Sequence, residues 1–221
     1  LLACNGYNGI ELWRRKLPDG YLVHRSAFIA TRDTFYMINP DGAGCLLLDP
    51  ASGQERDRIR VPELPGEWKW IAPEDGTLHA LVGKEKDPPE TTIVRSEYTH
   101  WSWGELSRGY YQKRIPWGFG ETLLAYDLER RAARWSHREP GAIDSRSLVM
   151  GGGRLFFYAP DSRVGCLDAA SGALLWANDD PAIRALIDEP GRNLTSTPGF
   201  RTSCYSLYTP QALLFQAQTQ M

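Results

Sequence analysis

The stretch CLDAASGALLW, residues 166–176, indicates how this chain folds. Asp168 stands at its head, Gly172 follows four residues later, and Trp176 lies eight residues after the carboxylate. An Asp side chain can accept hydrogen bonds from backbone N–H groups two or three residues on, and Gly readily adopts a positive φ, so the pair predicts a tight corner between two strands. The apolar residues on either side predict buried strands.

The same pattern occurs three more times, with two departures. In one copy Asp57 takes the place of the aromatic residue, and in another Arg131 takes the place of the glycine. Because a side chain at a positive-φ position is unfavourable, the turn at Arg131 must differ from the others or accept backbone strain. Written as head, glycine position and aromatic position, the copies are Asn5, Gly9 and Trp13; Asp49, Gly53 and Asp57; and Asp127, Arg131 and Trp135.

The spacing of the copies predicts a β-propeller. The heads are separated by 44, 78 and 41 residues along the chain, and a four-stranded propeller blade takes about 40 to 45 residues. The gap of 78 residues holds one set of strand signals, at 69–73, 77–83 and 122–128, while residues 84–120 lack clean alternation. We therefore expect one blade with a long insertion there, rather than two blades.

The predicted fold class is all-β, a partial ring of four-stranded antiparallel blades with three complete blades and two partial ones. A closed propeller needs at least four blades and has to join its last blade to its first, so the chain is expected to be a segment of a longer protein. The predicted ranges are 1–17 for the end of a blade, 18–60 for a blade, 61–138 for a blade with the insertion 84–120, 139–180 for a blade, and 181–221 for the start of the next, with a helix-like stretch at 181–188.

Composition agrees with a globular β protein. With 221 residues, of which 42% are hydrophobic and 11% aromatic, the chain has ample material for a core. Its net charge of −2 argues against nucleic acid as a partner. No signal peptide or membrane span is visible in the sequence. The four cysteines include no CxxC pair, so buried thiols are favoured over a disulfide framework.

Residues 167–176, LDAASGALLW, resemble the tryptophan-docking repeat of propellers of the pyrroloquinoline-quinone (PQQ) type. That family includes quinoprotein alcohol dehydrogenases and BamB-type outer-membrane assembly propellers. The resemblance extends over nearly the whole chain and is weaker at the corners headed by Asp49 and Asp127. It implies a radial array of blades joined by the Trp residues of the repeat, here Trp13, Trp135 and Trp176. Several members are exported or periplasmic, so the resemblance also favours such a location.

The same resemblance bears on cofactors. Quinone enzymes of the family use adjacent cysteines stacked on the cofactor, with acidic and amide residues around Ca²⁺. This chain has no adjacent cysteines, and its loop carboxylates, such as Glu74, Asp75 and Asp144, lack the spacing of a ligand loop. The four histidines are isolated and no nucleophile motif is present. The sequence therefore predicts no catalytic, cofactor-binding or metal-binding residue in this segment.

The insertion 84–120 combines many aromatic side chains with basic and acidic ones. Loops this long in a compact repeat are usually functional or disordered, and so many aromatic residues argue against disorder. Since the insertion follows the second strand of its blade, it should lie on the face that carries the connections between blades. Its rings suit a protein partner or stacking on a sugar, or else they cover the insertion's own small core or cap the central channel. The candidate binding residues are Tyr98, His100, Trp101, Trp103, Tyr110, Tyr111 and Trp117.

Two functions from different classes stay open. The favoured one is a non-enzymatic binding or assembly scaffold for a protein or a glycan, which acts through the insertion face. The alternative is a segment of a PQQ-dependent quinoprotein dehydrogenase, in which PQQ with Ca²⁺ would carry the oxidation of an alcohol or a sugar. A repeat of this kind specifies architecture, so neither function follows from the corner pattern alone.

Overall fold

A computed structural model describes the ranges 1–17, 27–83, 119–159, 162–188 and 205–216. Within these ranges the chain forms strands β1 to β16, one helix, α1, and a 3-10 turn. Helix α1 spans Pro181–Asp188, the stretch that the sequence marks as helix-like, and the 3-10 turn spans Ser145–Ser147. The strands are β1 Leu2–Cys4, β2 Glu11–Arg14, β3 Phe28–Ala30, β4 Phe35–Ile38, β5 Cys45–Leu48, β6 Glu55–Ile59, β7 Glu67–Glu74, β8 Thr77–Gly83, β9 Phe119–Asp127, β10 Ala132–Asp144, β11 Val149–Gly151, β12 Arg154–Ala159, β13 Arg163–Asp168, β14 Leu174–Asn178, β15 Tyr205–Thr209 and β16 Ala212–Gln216.

The described strands pair into three four-stranded and two two-stranded antiparallel sheets. We call them blade 1 (β1–β2), blade 2 (β3–β6), blade 3 (β7–β10), blade 4 (β11–β14) and blade 5 (β15–β16). In each blade every strand is hydrogen-bonded to the next one along the chain. The predicted fold class is confirmed: the chain is part of a β-propeller, with three four-stranded blades and a two-stranded piece at either end of the described residues.

Two buried apolar clusters join blades 2, 3 and 4. One contains Tyr36 of blade 2 and Trp68 of blade 3, and the other contains Trp70 of blade 3 and Phe157 of blade 4. The pairing register of β7 is irregular between Trp68 and Trp70. An unbroken strand would place these two rings on one face, whereas the irregularity lets them pack on opposite neighbours. Each buried ring or Leu contributes about 1.5–3 kcal/mol by removal of apolar surface from water.

The long connection of blade 3 joins its second strand to its third. Strand β8 is buried along its whole length and ends at Gly83, and β9 begins at Phe119. In the antiparallel order of a blade, the loops after the second and fourth strands lie at one end, and the loops after the first and third strands lie at the other. The insertion therefore starts and ends at the same end of the blades as the connection from blade 2 to blade 3.

The cysteines of the described residues are free thiols. Cys45 and Cys166 are buried, as expected, and burial raises the pKa of Cys45 to about 12 and also raises the pKa of Cys166. Cys4 is exposed instead. Its strand belongs to blade 1, where the described residues form two strands and leave that face uncovered.

Candidate functional site

The three corners headed by aspartate share one hydrogen-bond arrangement. Asp49 Oδ1 accepts from the backbone nitrogens of Ala51 and Ser52, both at 2.8 Å. Asp127 Oδ1 accepts from the backbone nitrogens two and three residues later at 3.0 and 2.8 Å, and Asp168 Oδ1 accepts from that of Ser171 at 2.7 Å. Hydrogen bonds from these turns lower the pKa of all three carboxyl groups. These carboxylates therefore hold turns.

Arg131 adopts the left-handed conformation that glycine adopts in the other corners. Its φ is 58°, close to the 70° of Gly53 and the 72° of Gly172. Its backbone nitrogen donates to the carbonyl of Asp127 at 2.9 Å, the same bond that Gly172 makes to Asp168 at 2.8 Å. Of the two expectations for this turn, strain rather than a different geometry is observed. The corner keeps its shape, and the arginine backbone accepts the unfavourable φ.

Two of the three repeat tryptophans lie on the corner of the following blade. Trp13 Nε1 donates to Pro50 O at 2.9 Å, and Trp135 Nε1 donates to Ala169 O at 3.1 Å. A methyl group on Gly53 would lie 2.6 Å from the Trp13 ring, and one on Gly172 would lie 2.5 Å from the Trp135 ring. Glycine is thus required at each corner for two reasons: it adopts the positive φ, and it leaves room for the indole ring.

The joint between blades 2 and 3 uses an ion pair in place of tryptophan and glycine. Arg131 Nη1 donates to Asp57 Oδ2 at 2.6 Å, and Nη2 donates to Asp57 Oδ1 at 2.8 Å. The hydrogen bonds from Arg131 are the main cause that lowers the pKa of Asp57, and Asp57 in turn raises the pKa of Arg131. The two departures from the sequence pattern therefore meet at one place in the structure.

Trp176 is placed differently from the other two. Its side chain is 39% exposed, and its ring centre lies 6.1 Å from that of Phe156 in the same blade. The described residues of blade 5 do not include a corner that could receive this ring.

The end of the blades that carries the insertion forms the candidate site. We call it the loop face and define it by the loop 39–44, the connection 60–66 and the strand ends Gly83 and Phe119. Gly83 is paired with Glu67, the first residue of β7. A methyl group on Gly66 would lie 2.1 Å from Gly83 O, so the connection packs directly against the strand end from which the insertion leaves. The insertion therefore begins beside the connection between blades.

Among the described residues, three clefts border the connection 60–66. They measure about 380, 280 and 250 Å³. The largest extends to Tyr126 on β9 and to Arg131 in the corner between β9 and β10. The smallest is lined by Leu64 and Pro65 of the connection and by both strand ends next to the insertion, including Gly83 and Glu121. No motif in the sequence marks this connection as part of a site, although its Pro and Gly residues indicate a loop.

Buried charges on blades 3 and 4 are paired. Lys69 Nζ donates to Glu67 Oε2 at 2.8 Å, and the two side chains are 1% and 8% exposed. Arg163 of blade 4 donates through two nitrogens to the Glu139 carboxylate of blade 3, both at 2.9 Å, and His137 Nε2 lies 2.6 Å from Glu139 Oε1. Removing one partner of a buried ion pair is costly, because it leaves the other charge buried and uncompensated. Glu139 and Arg163 thus connect blade 3 to blade 4.

The predicted binding residues lie outside the described residues: Tyr98, His100, Trp101, Trp103, Tyr110, Tyr111 and Trp117. In the part of the chain that is described, no group of three or more His, Cys, Asp or Glu side chains could hold a metal ion. Among the carboxylates considered from the sequence, Asp144 accepts hydrogen bonds from the Arg146 guanidinium at 2.6 to 3.2 Å. No helix within the described ranges has the length and apolar character needed to cross a membrane.

Comparisons with known proteins bear on the fold. No protein-family model matches the chain, and no curated protein matches it significantly by sequence. Solved structures similar to it include BamB from Moraxella catarrhalis, at 14% identity and a TM-score of 0.45, over 78% of this chain and 44% of that chain. A europium-containing methanol dehydrogenase has 14% identity and a TM-score of 0.48, over 81% and 38% of the two chains. The computationally designed protein Ika8 has 12% identity and a TM-score of 0.51, over 96% and 48%.

The chain spans less than half the length of each of these three structures. Identities this low concern the fold alone, and of the three, Ika8 has a TM-score above 0.5. The sheet order of the described strands identifies the chain as part of a β-propeller, and the structures similar to it include BamB and a methanol dehydrogenase.

Proposed function

We propose that this chain is a non-enzymatic propeller segment that binds a protein or glycan partner through its loop face, with the insertion 84–120 as the main contact. The observation that carries the proposal is the position of the insertion. Both strand ends next to it, Gly83 and Glu121, line the same 250 Å³ cleft as Leu64 and Pro65 of the connection 60–66. The aromatic-rich segment therefore begins beside recesses that the blades themselves form.

The chemistry of these recesses supports a macromolecular or sugar partner. Their linings combine apolar side chains, such as Leu64 and Val82, with charged ones, such as Arg138. Arg138 donates to Glu121 at 2.9 Å there. A buried apolar centre with a polar rim is the usual composition of a protein interface, and Trp, Tyr and Arg are its most effective contact residues. The insertion supplies those residue types.

The corner carboxylates, at the opposite end of the blades from the loop face, also support a scaffold function. Asp49, Asp127 and Asp168 are the acidic side chains that recur with the repeat, and each is engaged by backbone N–H groups of its own turn. Their recurrence is thus explained by the architecture. This agrees with a scaffold whose repeat residues hold blades together while the inserted segment does the binding.

The proposal is tested by two variants of the whole chain. Trp101→Ala together with Trp103→Ala changes the insertion, and Arg130→Ala changes an 81% exposed side chain at the corner end of the same blade. Binding is measured on a glycan array and by cross-linking to envelope proteins in cells. We expect the tryptophan variant to lose at least tenfold in signal while Arg130→Ala keeps it.

Two results would contradict the proposal. Unchanged binding after the insertion is replaced by a short Gly-Ser linker would exclude the insertion as the contact. Dye-linked oxidation of an alcohol or a sugar by the full-length protein with PQQ and Ca²⁺ would instead support the dehydrogenase alternative. Far-UV circular dichroism of each variant shows whether the blades remain folded, so that a loss of binding can be assigned to the altered side chains.

A further inference from the structure

The joint between blades 2 and 3 is bordered by the cleft of about 380 Å³. At this joint the Asp57–Arg131 ion pair replaces the indole and the glycine of the neighbouring joints. Arg131 lines the cleft, whereas the corresponding corners of the neighbouring joints receive the rings of Trp13 and Trp135. The ion pair thus connects the two blades, and a recess lies next to it.

Strands β9 and β10 form one wall of this cleft. Tyr126 lies opposite Ala133 in the register of the two strands, so their side chains share one face of the sheet. Leu124 lies opposite Ser136 on the same face. Tyr126 and Leu124 belong to the buried cluster that blade 3 shares with blade 2, so this face is turned toward blade 2. Because Ala133 and Ser136 are small, the wall is recessed along β10.

The other wall is the connection that leaves β6. It contributes the apolar side chains of Val61 and Leu64, which also pack on the buried cluster between the two blades. Arg60 and Glu63 of the same connection add charged groups, and Arg131 adds a guanidinium from the corner of blade 3. The lining thus combines apolar surface with a few polar groups, as small-molecule sites usually do, and its volume lies within their usual range of about 300–1,000 Å³.

The Tyr126 side chain gives the cleft a buried hydrogen-bonding group. Tyr126 is 7% exposed, and its hydroxyl has no hydrogen-bond partner among the described residues. Burial is the main cause that raises the pKa of Tyr126, so the hydroxyl keeps its proton at neutral pH and can donate or accept a hydrogen bond. A buried polar group without a partner is unfavourable, and a ligand that bonds to this hydroxyl would remove the cost.

The Tyr126 end of the cleft lies away from the point where the insertion joins the blade. All residues that line the cleft fall within the described ranges 60–64 and 124–136. Strand β9 begins at Phe119, beside the insertion, and ends at Asp127, next to Tyr126. At about 3.3 Å per residue, Phe119 and Tyr126 are about 23 Å apart along the strand. The walls of the cleft are therefore formed by the blades and their connection.

We propose that this cleft binds a small aromatic molecule that carries a hydrogen-bonding group. The ring lies between Ala133 and the apolar connection, and its polar group meets the Tyr126 hydroxyl. An aromatic ring is favoured over an aliphatic one because it is flat and because the guanidinium of Arg131 is attracted to the face of a ring. This site does not rest on the binding function proposed for the insertion, because the blades and the connection supply its lining.

The test is the binding of phenol and of indole to the whole chain, measured by saturation-transfer NMR and isothermal titration calorimetry. Cyclohexanol is the matched ligand control, because it has the size and the hydroxyl of phenol without the aromatic ring. For ligands with so few atoms we expect dissociation constants of about 0.1–5 mM for phenol and indole. Binding of cyclohexanol should be weaker than that of phenol by at least about fivefold, since it gains no attraction to the guanidinium.

Two variants locate the site. Tyr126→Phe removes the hydroxyl and keeps the ring, so it should weaken phenol binding at least about threefold. Ala133→Phe introduces a ring into the cleft from an exposed position and should weaken binding at least about tenfold, because it occupies the space of the ligand. Tyr7→Phe and Ala170→Phe make the same two changes at exposed positions outside this joint and should leave the affinity unchanged.

Several results would overturn the proposal. They are no binding of phenol or indole to the wild-type chain, equal affinity for cyclohexanol, and binding that both Tyr126→Phe and Ala133→Phe leave unchanged. Loss of phenol binding after the insertion is replaced by a Gly-Ser linker would assign the ligand to the insertion instead. Retained phenol binding in that chain supports the cleft, even if protein or glycan binding is lost, so the two proposals can fail separately. Tyr126→Phe keeps the buried ring, so it remains informative if Ala133→Phe disturbs the fold.

Discussion

Asp57 and Arg131 meet across the joint between blades 2 and 3, at the two positions that Trp and Gly occupy in the neighbouring joints. The guanidinium donates to both carboxylate oxygens, at 2.6 and 2.8 Å. In the other two joints Trp13 lies on Gly53 and Trp135 lies on Gly172. Since both departures from the repeat fall on the same joint, the ion pair takes over the connection that an indole makes elsewhere.

The first prediction concerns this replacement. Asp57→Trp alone should lower the free energy of unfolding by about 1–3 kcal/mol, because the indole would overlap the Arg131 side chain. Asp57→Trp combined with Arg131→Gly should recover at least half of that loss, since the glycine leaves room for the ring and relieves the positive φ of 58°. Urea unfolding of the two single variants and the double variant measures the coupling. Simple additivity would show that the two positions do not form one joint.

The second prediction separates the two reasons for glycine at a corner. Gly172→Ala places a methyl group 2.5 Å from the Trp135 ring at a φ of 72° and should destabilise the chain by about 2–5 kcal/mol. Gly153→Ala is the matched control, because its φ of 70° is similar and a methyl group there meets nothing within 4 Å in the described residues. The control should lose only about 1–2 kcal/mol. Equal losses would mean that contact with the indole is unimportant.

The third prediction concerns pH. His79 is 2% exposed, and its Nε2 lies 3.0 Å from Ala169 O, the carbonyl that also accepts from Trp135. Burial is the main cause that lowers the pKa of His79 below 6.5. Because this pKa is lower in the folded chain than in the unfolded one, its contribution to stability is complete above about pH 6.5 and is lost as the pH falls toward the folded pKa.

Thermal unfolding checks this dependence. From pH 7.5 to 5.5 the Tm of the wild-type chain should fall, and that of His79→Gln should fall less, because the amide has no proton to gain. The carboxyl groups with lowered pKa, such as Asp57 and Asp168, act below about pH 4 and do not contribute in this window. Parallel declines in the two proteins would assign the effect to another group.

The fourth prediction concerns the ion pair between blades 3 and 4. Arg163→Met should lower the free energy of unfolding by about 2–4 kcal/mol, because it removes two hydrogen bonds from a Glu139 carboxylate that has no exposed surface. Adding Glu139→Gln should recover much of the loss. Arg138→Met is the control: the Arg138 side chain is 75% exposed, so its pair with Glu121 is screened by solvent and the change should stay within about 0.5 kcal/mol. A similar loss from both arginine variants would contradict the assignment.

The corners and the blade order could be predicted from the sequence because each depends on residues close together in the chain. Asp168 accepts from Ser171, only three residues on. Helix α1 and the hairpin of β7 and β8 likewise follow from local apolar patterns and turn residues. The sequence also shows that Arg131 replaces the corner glycine, which predicts either a different turn or a strained one. The structure has the strained turn.

Contacts between segments that are distant in the sequence could be identified only from the tertiary structure. Asp57 and Arg131 are 74 residues apart, and in the sequence each is only a departure from the repeat pattern. The clefts along the connection 60–66 depend on how blade 2 packs against blade 3. Buried charges such as Glu139 also find their partners on another blade. Local chemistry thus determined the shape of each blade, whereas the packing of side chains between blades decided which residues compensate one another and where the surface has recesses.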